Sequence, residues 1–267
     1  MKKLFTIVVL ALACLSASAQ GKYASEVVYK GDDITFLKID GHTWHGYGKM
    51  VYNETVYIVE GSKKALVIDA GTNIQNLDQI VASITSKPVI LVATHLHGDH
   101  TGSAINDFDE IWFYPVDEAT ENQNLKNYKG KKNSLKDGMV FDLGDRNITV
   151  FHTPGHTEGS VTYIDFKNHY GFSGDSFGNT DLLLGTTISG FRASCLKMLD
   201  IMKRNNIELL YPGHSAGDYC ETQASIQNEI EMCDGLLNGS LKGEKGNRGL
   251  ILAINGQRLE YSESQVK

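Results

Sequence analysis

The feature that most constrains this chain is an apolar run that ends in four potential metal ligands. Residues 89–93 are apolar throughout and predict a short buried strand. His95, His97, Asp99 and His100 follow on the loop where the chain leaves the sheet. Side chains two residues apart in extended backbone point the same way, so the first two histidines can hold one cation. The glycine after them permits a bend that turns the other two ligands toward a second cation.

A metal explains this group of side chains better than a purely structural role. Without a cation, several buried ring nitrogens would compete for donors and acceptors at a high desolvation cost. Neutral imidazole and ionised carboxylate are ordinary ligands of zinc. The spacing therefore predicts two metal ions, with zinc as the default.

The pattern of an apolar strand followed by His or Asp beside glycine recurs three more times. It places His156, Asp175 and His214 after strands that the sequence also predicts. Because ligands at strand ends converge at one edge of a sheet system, we expect the four loops to form one site. Of the remaining histidines, His42 and His45 are expected at the surface.

Together these motifs resemble a known family. HLHGDH at residues 95–100, TPGHTEGS at 153–160, FSGD at 172–175 and YPGH at 211–214 are similar, in order and spacing, to the ligand motifs of the metallo-β-lactamase superfamily. VIDAG at residues 67–71 looks like the early strand-end motif of the same family. The resemblance implies an α+β fold, the αββα four-layer sandwich of two mixed β-sheets flanked by helices, with the metals at the edge between the sheets.

The resemblance also implies a role for each motif residue. Seven side chains are the implied ligands: His95, His97 and His156 of one zinc, Asp99, His100 and His214 of the other, and Asp175 between the two. Asp69 is implied as a carboxylate that orients a ligand histidine. Two cations that share a water produce a hydroxide nucleophile near neutral pH. The implied activity is hydrolysis of an ester, thioester, lactone or amide of a small molecule, with Asp99 orienting the nucleophile and passing a proton to the leaving group.

Asp175 indicates which branches of the superfamily this chain resembles. One large class of β-lactamases has cysteine at the corresponding position and another lacks the bridging acid, so this chain looks like the glyoxalase II, lactonase and phosphodiesterase branches. The added carboxylate leaves iron or manganese as alternatives to zinc. Residues 215–267 end in a predicted hairpin where glyoxalase II has a helical region, which argues against a glutathione thioester. No flavodoxin domain that would indicate a flavodiiron oxidoreductase is present in the sequence.

The first residues predict export. Lys2 and Lys3 precede an apolar run over residues 4–15 and an Ala-x-Ala site at 17–19, which is typical of a signal peptide spanning residues 1–19. Residues 20–267 then form one hydrolase domain in the periplasm or outside the cell. The apolar run is too short for a membrane span. Cys14 leaves lipoprotein anchoring as the alternative.

The charge excludes some partners and leaves several functions open. A formal net charge of −7 at pH 7 argues against nucleic acid, including RNA processing, and against anionic membranes. A periplasmic β-lactamase is the alternative function, followed by a metal-dependent oxidoreductase and a zinc-binding protein without catalysis. The sequence leaves the substrate, the oligomeric state and a Cys220–Cys233 disulfide open.

Five side chains are predicted to line the substrate because they fall on predicted loops next to ligand segments: Trp44, Tyr47, Phe177, Phe191 and Arg192. The first two belong to a glycine-rich stretch, residues 40–49, that predicts either a mobile flap over the substrate or an ordinary β-turn with surface aromatics. Helices are predicted over residues 72–84, 102–108, 193–204 and 222–237 and hairpins over 161–172 and 250–261, while residues 117–138 predict a polar surface excursion with some helix.

Overall fold

A computed structural model describes residues 26–120, 123–178 and 180–267. The predicted signal peptide, with Cys14, lies outside the described residues.

The first β-sheet forms the N-terminal half of the chain. Its eight strands lie in sequence order: β1 (Val27–Lys30), β2 (Ile34–Asp40), β3 (Thr43–Gly48), β4 (Thr55–Glu60), β5 (Ala65–Ile68), β6 (Val89–Val92), β7 (Glu110–Phe113) and β8 (Lys131–Ser134). Strands β1 to β5 pair antiparallel and β5 to β8 pair parallel. The apolar run before the first ligand motif is β6, as predicted.

The second sheet packs against the first and comes mainly from the chain after residue 139. Its strands are β9 (Val140–Asp142), β10 (Asn147–His152), β11 (Val161–Asp165), β12 (Tyr170–Gly174), β14 (Leu209–Pro212) and β15 (Glu221–Thr222). The order across the sheet is β15-β14-β12-β11-β10-β9, and only β12 and β14 pair parallel. A third, smaller sheet contains β13 (Asp181–Leu183), β16 (Glu244–Lys245), β17 (Leu250–Ile254) and β18 (Gln257–Tyr261). The sequence did not predict this third sheet, although the hairpin of β17 and β18 is confirmed.

Helices cover the outer faces of the two large sheets. They are α1 (Leu77–Ile84), α2 (Gln123–Asn127), α3 (Ile188–Asn205) and α4 (Gln223–Leu237). The alternation of β4 shows why the layers form: Ile58 packs with α1 on one face, while Tyr57 and Val59 meet the second sheet on the other. A third apolar layer joins the second sheet to α3 and α4. The αββα sandwich of mixed sheets is therefore confirmed.

Three local predictions were wrong: the start of the first helix, the flap and the surface position of His45. The first helix begins at Leu77 rather than residue 72, and its N-cap residue Asn76 makes no side-chain capping hydrogen bond. Asp107 instead accepts a hydrogen bond from the Leu77 N–H at 2.8 Å, so a carboxylate from another element caps the helix. The predicted flap at residues 40–49 is mostly β3, which pairs on both sides. In that strand His45 is buried rather than at the surface, and its Nε2–H donates to Ser215 O at 2.8 Å.

Smaller differences from the predictions concern a short helix, one edge strand and the cysteines. The predicted helix at 102–108 is a 3-10 helix, Ser103–Asp107, and the polar excursion contains the unpredicted strand β8. Cys195, Cys220 and Cys233 are buried free thiols, so no Cys220–Cys233 disulfide is present. None of the helices in the described ranges has the length and apolar character that a membrane span requires.

Candidate metal centre

The predicted ligands follow strands that end at the same edge of the sandwich. Strands β5 and β6 run parallel, and Asp69 and residues 94–100 come directly after them. In the second sheet β12 and β14 run parallel, and Asp175 and His214 follow their ends. Strand β10 has the same direction, since both it and β12 pair antiparallel with β11, and His156 follows it. The topology therefore brings the four predicted loops together.

Asp175 lies at the middle of the cluster. Its Oδ2 is 3.3 Å from Nε2 of His214, 3.6 Å from Nε2 of His156 and 3.9 Å from Nε2 of His95. Its Oδ1 is 3.5 Å from Nε2 of His100. One carboxylate thus contacts members of both predicted ligand sets, which is the position expected of a bridge.

The two sets of three are each compact. The ligand atoms of His95, His97 and His156 all lie within 4.8 Å of one another, and so do those of Asp99, His100 and His214. In the first set, Nδ1 of His97 is 2.8 Å from Nε2 of His156. In the second set, Oδ2 of Asp99 is 3.5 Å from Nε2 of His214. The structure therefore brings all seven predicted ligands together.

Asp69 orients one side of the centre. Its carboxylate accepts hydrogen bonds from the Thr94 N–H and the Thr94 hydroxyl, both at 2.7 Å, and from Nδ1–H of His100 at 2.8 Å. The Thr94 hydroxyl in turn accepts from Nδ1–H of His95 at 3.2 Å. In both histidines the proton sits on Nδ1, so the Nε2 lone pair faces the centre. Thr94 was missed, although its place directly before the first ligand could have suggested it.

Backbone carbonyls orient two further histidines. Nδ1–H of His156 donates to Leu183 O at 2.7 Å, and Nδ1–H of His214 donates to Val51 O at 3.1 Å. A carbonyl only accepts, so Nε2 of each ring carries the lone pair. The sequence offered no signal for these partners, because backbone groups 27 and 163 residues away supply them.

Gly213 shows how closely the loops pack. A Cβ at this position would lie 2.1 Å from Asp175 Oδ1 and 2.8 Å from His100 Cε1. No larger residue fits between the β14 loop and these two side chains.

The residues present fit a pair of metal ions. Within the described residues, Nε2 of His95 and Nε2 of His100 are buried and have no hydrogen-bond partner of normal geometry. Such buried acceptors are costly unless a ligand satisfies them. Zinc bonds of about 2.0–2.2 Å set tetrahedral ligand atoms about 3.3–3.6 Å apart, which matches the contacts of Asp175 to His100, His156 and His214.

Electrostatics divides the centre into two sides. Burial, with repulsion from His100, lowers the pKa of His95 well below its usual value, and burial with His156 nearby lowers the pKa of His97. Burial also acts to lower the pKa of His100, but Asp175 and Asp69 outweigh it and raise that pKa well above its usual value. Burial thus disfavours the protonated forms of His95 and His97, whereas the two carboxylates favour the protonated form of His100.

The predicted substrate wall is corrected at three positions. Trp44 is buried in the core beneath the first sheet, and Phe177 and Phe191 are buried in the layer around α3. Strand periodicity places Trp44 inward on β3 and helix periodicity places Phe191 inward on α3, whereas Phe177 lies on the turn after β12 and packs into the same layer as Phe191. Arg192 lies on α3 and its Nε donates to Asp234 Oδ1 at 2.5 Å. Tyr47 lies half-buried on β3 and stays a prediction.

An exposed hairpin tip beside the centre was missed. Between β3 and β4, Tyr52 and Asn53 both have positive φ, and Val51 supplies the carbonyl that orients His214. Met50 and Tyr52 flank Val51 and are 62% and 86% exposed. The glycine-rich stretch predicted a flap, but the tip lies a few residues later than expected.

Comparison with known proteins decides the family. A family model described as the metallo-beta-lactamase superfamily matches residues 51–214. The chain belongs to the metallo-β-lactamase superfamily. Among curated superfamily relatives, an acyl-coenzyme A thioesterase MBLAC2 from Gallus gallus is 27% identical over 198 residues, covering 60% of this chain and 71% of the relative. Hydroxyacylglutathione hydrolase GloC from Haemophilus influenzae is 27% identical over 167 residues, covering 54% of this chain and 79% of the relative.

Solved structures of metallo-β-lactamases share the fold. The enzyme from Erythrobacter litoralis superposes with a TM-score of 0.63 at 15% identity, covering 78% of this chain and 99% of that structure. The enzyme from Pontibacter korlensis gives a TM-score of 0.60 at 18% identity, covering 75% and 99%. The resemblance and the fold predicted from the motifs are confirmed, and the chain is a hydrolase of a superfamily that typically binds metal.

Proposed function

We propose that this chain is an exported, dinuclear zinc-dependent hydrolase that cleaves a small-molecule thioester. The wider class that the sequence predicted, an ester, lactone or amide, is the set of competing substrates. The observation that carries the proposal is the position of Asp175, whose carboxylate lies within 3.3–3.9 Å of four imidazoles that belong to two separate ligand sets.

The exposed side of the centre is where substrate would enter. The side chains of His95 and His100 are fully buried, whereas Asp99 is 21% exposed and His97 is exposed. Two divalent cations held by these ligands would acidify a shared water and polarise a substrate carbonyl. In this proposal the Asp99 carboxylate orients that water, accepts its proton and donates it to the leaving sulfur.

The names of the relatives support a thioester. Those that match this chain include an acyl-coenzyme A thioesterase, an atrochrysone carboxyl ACP thioesterase and a hydroxyacylglutathione hydrolase. The exposed side chains of Met50 and Tyr52 beside His214 offer an apolar surface for an acyl group. The exclusion of a glutathione thioester stays a prediction.

One experiment tests the proposal. The purified protein is analysed for metal and then assayed against an acyl-coenzyme A, S-lactoylglutathione, an aryl ester, a lactone and a chromogenic cephalosporin. The expected result is two zinc ions per chain and fastest turnover of a thioester, lost with a chelator and restored by zinc. Preferential cephalosporin hydrolysis would favour the β-lactamase alternative. A coloured, redox-active iron protein without hydrolysis, or a zinc protein that turns over none of the five, would overturn the proposal.

Export is a separate part of the proposal. It is supported by the basic start, the apolar run and the Ala-x-Ala site in residues 1–19, which make residues 20–267 the mature hydrolase domain. We expect the protein from a bacterial periplasmic fraction to begin at Gln20 by mass spectrometry. A mature chain that begins with a lipid-modified Cys14 would favour anchoring, and an uncleaved chain in the cytoplasm would contradict export.

A further inference from the structure

A short backbone segment, residues 183–186, supports His156 from behind, and we name it the strap. Leu183 O accepts from Nδ1–H of His156 at 2.7 Å. The N–H groups of Gly185 and Thr186 both donate to Gly155 O, at 3.0 and 3.1 Å. The loop that carries His156 is therefore held to the strap by three hydrogen bonds, one of which decides which ring nitrogen keeps its proton.

The strap and the loop are in direct contact. A Cβ on Gly185 would lie 2.1 Å from His156 O, so only glycine allows the two backbones to approach this closely. A shift of the strap would therefore shift the ring of His156, whose Nε2 faces Asp175 and His97.

The other side of the strap is bound to the C-terminal segment. Strand β13 pairs parallel with β18, with Leu183 opposite Glu260, and the Leu184 N–H donates to Glu260 O at 2.9 Å. The side-chain amide of Gln265 donates from Nε2 to Leu184 O and to Thr186 O, each at 2.8 Å. Within the described residues, this one side chain binds two of the four strap carbonyls.

Gln265 is itself held in place. Its Oε1 accepts from the Ser262 N–H at 2.6 Å and from the Ser262 hydroxyl at 3.0 Å, so the orientation of the amide follows from its partners. The family match ends at residue 214, so this support comes from outside the matched region.

We propose that Gln265 is a positioning residue for the metal centre: through the strap it fixes the tautomer and orientation of His156, and so sets the metal affinity of the three-histidine set. The inference rests on the proposed dinuclear function. Groups that orient a metal-bound histidine through its second ring nitrogen typically change metal affinity by about 10–100-fold.

The test uses Gln265→Glu in the full chain. The new carboxylate keeps an acceptor for Ser262 but replaces the two donated hydrogen bonds with repulsion against two carbonyls. Gln223→Glu is the matched control, because Gln223 also donates its amide to a backbone carbonyl, Ile207 O, at 3.2 Å, and the charge change is the same. Gln265→Ala is the second variant, should the glutamate variant fold poorly.

Two readouts separate positioning from general stability. In metal-free protein, the imidazole Nδ1–H resonance of His156, identified by its loss in His156→Ala, should exchange faster with water in Gln265→Glu. In zinc titrations against a competing chelator, about 10–100-fold weaker binding is expected at one of two sites, with the other unchanged. The control should match the wild type in both.

The outcomes are distinct. Equal weakening of both sites, or wild-type affinities with an unchanged resonance in Gln265→Glu or Gln265→Ala, would overturn the positioning role. Wild-type protein that binds no pair of metal ions would instead overturn the proposed function, whatever the variants do.

Discussion

Two clusters of buried polar side chains lie at opposite edges of the sandwich and differ in how they are satisfied. At the edge away from the candidate metal centre, Arg146 uses all five N–H donors, on Asp165 Oδ2, the carbonyls of His42 and Glu60, Thr43 Oγ1 and Tyr170 OH. Asp165 also accepts from Lys167 N, Asn168 N and Asn168 Nδ2. We name these residues the arginine cluster.

At the metal-centre edge, some of the buried polar groups in the described part of the chain lack a hydrogen-bond partner. Nε2 of His95 and Nε2 of His100 have no hydrogen-bond partner within the described residues, and both aim at the same space as Asp175. The arginine cluster, whose hydrogen bonds are all made within the protein, joins the two sheets. A cluster whose buried ring nitrogens converge without partners is instead suited to binding a ligand. Burial alone does not distinguish the two.

The largest expected effect is on activity, from variants at the candidate metal centre. Asp99→Ala or His97→Ala should lower kcat/KM for the best substrate by at least about 10³-fold, because each removes a proposed ligand and the first also removes the proposed proton carrier. Zinc content should fall in parallel. The control is Asp200→Ala, which breaks only an exposed pair with Arg204 on α3. Full activity in either centre variant would refute the site assignment.

A variant of the arginine cluster should lower stability without changing the zinc content. Arg146→Met leaves the fully buried Asp165 without its cation and should lower the free energy of unfolding by about 3–5 kcal/mol, measured with urea. Zinc bound per folded chain should stay at the wild-type value. Loss of zinc without loss of stability would contradict the purely structural role of the arginine cluster.

A third buried cluster contains Glu221 and Glu229, and it tests whether protonation stabilises buried carboxyl groups. Burial between the second sheet and α4 raises the pKa of Glu221 from its usual 4.5 to about 8. Burial also raises the pKa of Glu229 nearby. At a pH between 4.5 and the raised pKa of each group, the folded state binds a proton that the unfolded state has lost, so stability falls as pH rises, by at most about 1.4 kcal/mol per pH unit for each of the two groups.

Urea unfolding between pH 5 and pH 8 measures this slope. Glu221→Gln should reduce this slope, since the amide carries no titrating proton and only the contribution of Glu229 remains. An identical slope in the variant and the wild type would show that Glu221 is ionised in the folded protein.

The smallest expected effect concerns the hairpin tip. Met50→Ser and Tyr52→Ser remove exposed apolar surface beside His214 and should raise KM for a long-chain thioester roughly fivefold, with kcat little changed. KM for a short-chain thioester should hardly change. Equal effects on both substrates would mean that the tip does not contact the acyl chain.

Much of the site could be predicted because its ligands lie in short motifs after apolar strands. A run such as residues 89–92 favours a strand in the sheet, and a ligand three residues beyond it has to lie at the strand end. The polarity of successive residues carries this information locally. The capping of α1 by Asp107 and the inward position of His45 could not be predicted, since partners distant in the sequence decide both.

The sequence by itself determined the seven side chains that meet at one edge, because strand periodicity and ligand spacing are local properties of the chain. Through the resemblance of its motifs to a known family, it also implied the layered sheets. Only the tertiary structure decided what holds those side chains in place. Leu183 O, Val51 O and the amide of Gln265 act through backbone geometry and a hairpin far along the chain, and no local pattern encodes such contacts. For the same reason, the buried places of Trp44, Phe177 and Phe191 became known only from the packed layers.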